Sequence, residues 1–420
     1  MMNKPIQLYH LSNEIPVIIC NNEFQTSKIL ISLGFGARDE NLHEYGITHF
    51  IEHLLCQSVD GDTSFENLKK KIEILGGNIN FYTNYSKIGC SVNVIPEHLI
   101  NIIKVIAPQI TTPIFDNKKI EREKNIILSE YKRSVDNNSW SMLKFENLFH
   151  GTGLGHSVLG TIETIKSFTA TQLSNYYFSH LTCDKCNIVV AGQIADTNQL
   201  LSTLESAFGR IPHIPYEHSI LPIQQTVMHD LKPDAQNIKL ALAFVAKISD
   251  DPRAQILVSV FRKILQDRLM SVLRYEKGLA YFIQCYTMGV MDTKLYAIGT
   301  DFSPQNIEHA VGIIATVCKD LLTTKPITAQ ELYIARNVIK FNNAQIIDSL
   351  DKSCDLQAQH MLYYNKIYDV GATNQILEQI KTSDVMTLGQ TLLCAPVSVV
   401  TQGPALECDV KDVWYKHFVV

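Results

Sequence analysis

Apolar and polar positions alternate along the chain in two rhythms. Residues 6–20 and 28–37 carry period-two patterning, and KILISLGFGAR sets bulky residues against small ones, with glycines where backbones pack closely. The period then changes. GITHFIEHLLCQ, 46–57, has the spacing of a buried helix, and SFENLKKKIEIL, 64–75, predicts an amphipathic helix opening at Ser64 and closed by Gly76-Gly77. Residues 76–95 predict two strands around a turn at Asn84-Tyr85. DNKKIEREKNIILSEYKR, 116–133, predicts a strong helix with Asp116 capping its start and Ile120, Ile126, Ile127, Leu128 and Tyr131 as its apolar positions. Further on, Thr169 or Thr171 caps a helix carrying Leu173 and Tyr177, and 187–192 is a β-branched run of buried-strand type. Up to Arg210 this makes one α+β unit.

GRIPHIPYEHSILPIQQ, 209–225, has three prolines and no helical period, as a linker does. The predicted organisation is a first domain over 1–210, a linker over 211–226 and a second domain over 227–420. The halves read as repeats: residues 31–38 align with 240–247 at an offset of 209. In the second half, 295–302 predicts a strand, 305–322 a helix, Thr328 and Glu331 a capping box opening a helix through Asn343, and 397–403 a closing strand.

Composition narrows the classes of function. The chain has 420 residues, 46% of them hydrophobic, and a net charge of −5, with no basic block, which argues against a nucleic-acid partner. No apolar run is long enough to span a membrane, and the N-terminus has neither a signal-peptide core nor an Arg-rich presequence. A cytoplasmic enzyme is the expectation, or an organelle matrix enzyme if a presequence has been removed. Ten scattered cysteines read as reduced thiols, and Cys183-Asp184-Lys185-Cys186 reads as an incidental pair near the start of a buried strand.

The helix at 46–57 adds chemistry. His49, Glu52 and His53 form H-x-x-E-H. Residues three and four apart share a helical face, so both imidazoles can hold one ion while Glu52 points into the same space. Neutral imidazoles are good zinc ligands, zinc acidifies water, and a neighbouring carboxylate can take the proton. Such a site needs a third ligand. Glu123 and Glu130 lie seven residues apart on one face of the 116–133 helix, so one can bind the ion while the other orients a histidine; Glu121 reads as solvated surface.

H-x-x-E-H followed by a glutamate 77 residues after His53, with another glutamate seven before that, resembles the pitrilysin (insulinase) family of inverted zincins, in its processing-peptidase-like branch. The resemblance implies His49, His53 and Glu130 as ligands of one Zn2+ per chain, Glu52 as general base and Glu123 as supporting carboxylate. Residues 76–83 are similar to the family's G-G-x-x-N-A-x-T strand, with Asn80 and Thr83 at its polar positions and Phe81 in place of the small residue; the implied role is pairing with extended substrate, the alternative a plain surface strand. RLMSVLRYEKGLAY, 268–281, is similar to L-R-E-x-x-G-L-A-Y, with Tyr275 replacing the first glutamate. It carries over Arg274 and Tyr281 as substrate-binding residues, against a reading as surface Arg and sheet Tyr. The glycine-rich turn of many relatives is replaced by RKILQD, 262–267, which suggests that the helix there runs on. At the 209-residue offset, His49, Glu52 and His53 become Val258, Phe261 and Arg262, so the second half lacks the metal.

The expected protein is α+β, two homologous halves each with a mainly antiparallel sheet packed with helices, closing as a clamshell. It is expected to be a zinc endopeptidase acting on peptides or presequence-like extended segments in a closed chamber. A homodimer needs no separate partner, because one chain carries both the zinc motif and the Arg/Tyr pair; a heterodimer with a related subunit is the alternative. The competing reading is a weak or inactive subunit with a structural or peptide-holding role.

Overall fold

The computed structural model describes residues 6–57, 65–215, 220–246, 248–249, 251–291 and 293–419, without the side chains of 135–139. Ser64, Lys247 and the 216–219 part of the expected linker lie outside the described residues. The chain forms two compact units. One comprises Met1–Asn137, His156–Ser219 and Gln345–Tyr368, the other Asn138–Gly155, Ile220–Ala344 and Asp369–Val420. The expected contiguous domains, 1–210 and 227–420, are therefore each cut by an exchanged segment.

In the first unit, β1 (Gln7–His10), β2 (Pro16–Asn21), β3 (Ser27–Leu33), β4 (Gly77–Thr83), β5 (Ile88–Val94) and β6 (Cys186–Gly192) form a sheet of order β1-β2-β6-β3-β5-β4. Among the described strands of this sheet, only β2 and β6 pair in parallel. Every residue of β3 and β6 is buried, because both faces of the sheet are covered. Ile29, Ile31, Leu33, Ile188 and Val190 enter the main core with α1 (Ile47–Leu55), α2 (Phe65–Ile74) and α3 (Leu99–Thr111). The alternate residues Leu30, Val189 and Ala191 pack on Cys354, Ala358 and Met361 of the Leu350–Tyr364 helix. That helix is pinned by Asn187 Nδ2 donating to Ala358 O at 3.1 Å and by Lys28 Nζ on Asp351 at 2.7 Å. A strand pattern apolar on both faces needs two covers, and the second cover comes from far along the chain.

The helix expected to end at Arg133 is longer. It is α4, Asn117–Leu148, with Asp116 Oδ1 accepting from the amides of Lys118 and Lys119. Its first part belongs to the first unit and its last part to the second. There Lys144 lies over the Trp140 and Tyr286 rings, and Phe145 lines the same hollow.

The second unit has β7 (Val227–Leu231), β8 (Ile238–Phe244), β9 (Ile283–Val290), β10 (Thr293–Phe302) and β11 (Val397–Gly403) in the order β7-β11-β8-β10-β9, with only β7 and β11 parallel. Its Pro252–Met270 helix runs straight through 262–267, as the missing glycines suggested, and buries Val258 and Phe261 where the first half has His49 and Glu52. Thr328 and Glu331 form the expected reciprocal cap. All ten cysteines are free thiols. Among the described residues, no helix is long and apolar enough to cross a membrane.

Candidate metal centre

Helix α1 is held in place by its core-facing side and by its N-terminal end. Phe50, Ile51, Leu54 and Leu55 are fully buried on its core side. Gly46 begins it at φ +88°, where a Cβ would come within 2.6 Å of Leu159 O and 2.7 Å of Gly160 Cα, so only glycine fits. The buried Glu40 carboxylate accepts from Gly46 N at 2.7 Å, Thr48 N at 2.9 Å and Thr48 Oγ1 at 2.5 Å, supplying the cap that Gly46 cannot.

On the other face His49 and His53 stand with ring centroids 4.8 Å apart. Glu130, from α4, brings Oε2 to 3.4 Å from His53 Nε2 and 3.9 Å from His49 Nε2. One ligand atom from each of the three lies within 4.8 Å of the others. A tetrahedral zinc with N and O ligands at about 2.0–2.2 Å sets those ligands ~3.4 Å apart, so the trio fits such an ion with small side-chain adjustments. Two turns earlier on α4, Glu123 approaches the opposite nitrogen: Oε2 is 3.1 Å from His53 Nδ1. Its Oε1 accepts from Gln57 Nε2 at 2.7 Å and from Arg122 Nη2 at 3.2 Å. With Nδ1–H directed at a carboxylate, Nε2 is left as the free donor toward a cation.

The electrostatics favour a cation. Burial keeps His49 below the ordinary imidazole value, and His53 adds to this, leaving a neutral ring with a lone pair to give. His49 Nδ1 is buried with no hydrogen-bond partner. Burial also acts against protonation of His53, but Glu123, Glu130 and Glu52 outweigh it and push its value up to about 9. The same carboxylates attract a divalent ion. His53 holds Glu130 below the usual carboxylate range. Glu52 is shifted the other way, because burial raises it, and this makes it a stronger base than a solvated glutamate. Thr83 on β4 lies close enough to pull Glu52 partly back, although its hydroxyl is buried without a well-formed hydrogen bond.

The structure therefore brings His49, Glu52, His53, Glu123, Glu130 and Thr83 together within the first unit. Asn80 is elsewhere. Ile79 and Phe81 of β4 face the core, whereas Asn80 faces out with Asn78 and Tyr82, lining a polar cavity of about 510 Å³ with Lys28, Lys87 and Asp351. Among the described residues the strand is at the edge of its sheet, paired with β5 alone. Arg274 and Tyr281 belong to the second unit, where the guanidinium lies 4.8 Å from the tyrosine ring centroid. Arg274 sits in a π-helical turn, Ser271–Glu276, and Tyr281 is exposed before β9. Sequence reading missed Gln57 and Glu40. Gln57 lies just past the C-cap of α1, and its four-residue spacing from His53 was the signal available; Glu40 reaches α1 from a loop and gave none.

Two imidazoles and one carboxylate converging beside a glutamate of raised basicity form a cluster that could hold a metal ion. A sequence model described as insulinase (peptidase family M16) matches residues 17–162, and one described as peptidase M16 inactive domain matches 167–339. Between them they span most of the chain, which belongs to the insulinase (M16) peptidase family. An uncharacterized zinc protease of Rickettsia felis is 21% identical over 411 residues, covering 96% of this chain and 98% of the relative. The mitochondrial-processing peptidase subunit beta of Saccharomyces cerevisiae is 29% identical over 192 residues, 45% of this chain and 40% of its own. In fold, the chain is similar to a protease from Helicobacter pylori, with a TM-score of 0.84 at 16% identity over 96% of this chain and all of that one.

Proposed function

We propose that this chain is a zinc endopeptidase whose ion is held by His49, His53 and Glu130. The observation that carries the reading is the approach of Glu130 and a base-strengthened Glu52 to the paired imidazoles of α1. Bound zinc supplies Lewis acidity toward water and the scissile carbonyl. Glu52 takes the proton of the attacking water and returns it to the leaving nitrogen. Glu123 orients His53 through Nδ1, and Gln57 fixes Glu123.

The open edge of β4 can add an extended peptide as a further strand through main-chain hydrogen bonds, which suits unfolded or presequence-like substrates of varied sequence. Thr83, on the α1-facing side beside Glu52, and Asn80, on the outward face, are proposed as the residues of β4 that meet the substrate. Arg274 and Tyr281 are proposed as donors to the substrate carbonyl oxygen, supported by the guanidinium lying over the tyrosine ring and by the matching motif. The chain is proposed to act as a homodimer, which light scattering of the purified protein would test.

The decisive experiment measures zinc content and turnover of a quenched peptide pool, alongside Glu52→Gln. About one zinc per chain at this centre is expected, with cleavage falling by ~10²–10⁴-fold in the variant while zinc is retained. Zinc without cleavage in the parent would favour a peptide-holding or partner-dependent subunit. Folded protein that takes up no zinc would overturn the reading.

A further inference from the structure

A second set of metal-ligating side chains lies outside the α1–α4 centre. The turn Cys183–Lys185 leads into β6, and His213 comes back to it from the segment after Phe208. His213 Nδ1 is 2.8 Å from Asp184 Oδ1 and 3.9 Å from Cys183 Sγ, and that Sγ is 3.8 Å from Asp184 Oδ1. Main-chain bonds lock the two segments in this register. Cys183 N donates to Pro212 O at 2.9 Å, Ile214 N donates to Thr182 Oγ1 at 2.9 Å, and Thr182 Oγ1 donates to Ile214 O at 3.1 Å. Both segments belong to the first unit.

We propose that Cys183 Sγ, Asp184 Oδ1 and His213 Nδ1 form a second divalent-metal site, suited to zinc and separate from the peptidase centre. Zinc with sulfur at about 2.3 Å and N or O at about 2.0–2.2 Å sets its ligand atoms ~3.3–3.6 Å apart. The three observed separations bracket that range. A thiolate, a carboxylate and a neutral imidazole balance the charge of a divalent ion, and this mixed donor set prefers zinc or cobalt to calcium or magnesium. On binding, the thiol proton is released to solvent and the neutral imidazole takes the tautomer with its proton on Nε2, exchanging the Nδ1–Asp184 hydrogen bond for the ion. His213 and Asp184 reach solvent, giving the ion an entry path, while Cys183 is buried beneath them. Cys183 and Cys186 are both buried, but among the described residues only Cys183 converges with Asp184 and His213, so the fourth position is left to water. Such an ion would tie the start of β6 to the segment that leads out of the first half. The CxxC spacing alone did not reveal this site, because its third ligand is 30 residues past Cys183.

Cobalt(II) separates the two sites, because only this one contains sulfur. Metal-free full-length protein titrated with cobalt is expected to bind about two ions per chain and to show a thiolate-to-cobalt charge-transfer band in the near ultraviolet. Cys183→Ser should abolish the band and lower the stoichiometry to about one, the remaining ion reporting an intact fold. His213→Ala, at an exposed position, should also lose the band. Glu130→Gln should keep it. No band in the parent protein, or a band that survives Cys183→Ser, would overturn the proposal.

Discussion

Removing Glu123 tests whether the peptidase centre depends on a carboxylate that touches no ion. The Glu123 side chain is 5% exposed and makes two short contacts, 3.1 Å to His53 Nδ1 and 2.7 Å from Gln57 Nε2. In Glu123→Ala, His53 loses the group that fixes its ring and tautomer. A hydrogen bond to a charged group contributes ~1.5–3 kcal/mol, and ~1.4 kcal/mol is a factor of ten in affinity. Zinc binding should therefore weaken by ~10–100-fold, the range found when such supporting groups are removed. Competition against a chromogenic chelator measures this directly. The buried Gln57 and the partly buried His53 are also left without their acceptor, which should lower the stability of the metal-free protein by ~1–3 kcal/mol, read from its urea midpoint. Glu123→Gln, which keeps an acceptor and the volume, should fall between the two. Arg122→Ala, removing a half-exposed partner of the same carboxylate, should change zinc affinity far less. An affinity for Glu123→Ala within about twofold of the parent would refute the orienting role, because the loss of that hydrogen bond would then have no consequence at the metal.

Gly46→Ala should destabilise the fold by at least ~1–3 kcal/mol and lower zinc occupancy, since alanine must hold φ +88° with its Cβ against Leu159 and Gly160; urea denaturation with metal analysis checks both. For Glu331, burial raises the carboxyl, but Arg268 and the Thr328 cap outweigh it and bring it down to about 2. Its folded value is below the unfolded one, so its stabilisation is complete above about pH 4.5 and is lost as pH falls toward 2. Glu331→Gln should therefore be less stable than the parent at neutral pH, with the gap closing across that acid window in urea midpoints. Arg274→Ala and Tyr281→Phe should lower kcat more than they raise KM if they donate to the developing oxyanion, by ~10²–10³-fold for a full donor; an effect on KM alone would assign them to substrate capture.

Much of the candidate metal centre was legible because its geometry is local. His49, Glu52 and His53 share a face through helical periodicity alone, and Glu123 and Glu130 do so through two further turns. Strand and helix types followed from periods of two and 3.6, and the Thr328–Glu331 cap followed from spacing. What escaped was non-local. The all-apolar runs of β3 and β6 announced two buried faces but could not say that the second cover is the Leu350–Tyr364 helix, some 320 residues past β3. The end of α4 likewise serves the second unit rather than stopping at Arg133. The side of β4 that Asn80 occupies depends on register, where one residue reverses the facing.

The sequence by itself determined the elements and the shared face of His49, Glu52 and His53 on α1, because each rests on hydrogen bonding and burial over a few turns of chain. Only the tertiary structure decided which nitrogen of His53 meets Glu123 and which meets Glu130, and that Glu40 caps α1. It also decided that His213 comes to rest against Cys183 and Asp184. Those outcomes depend on which distant surfaces bury each other, and no short stretch of sequence holds that information.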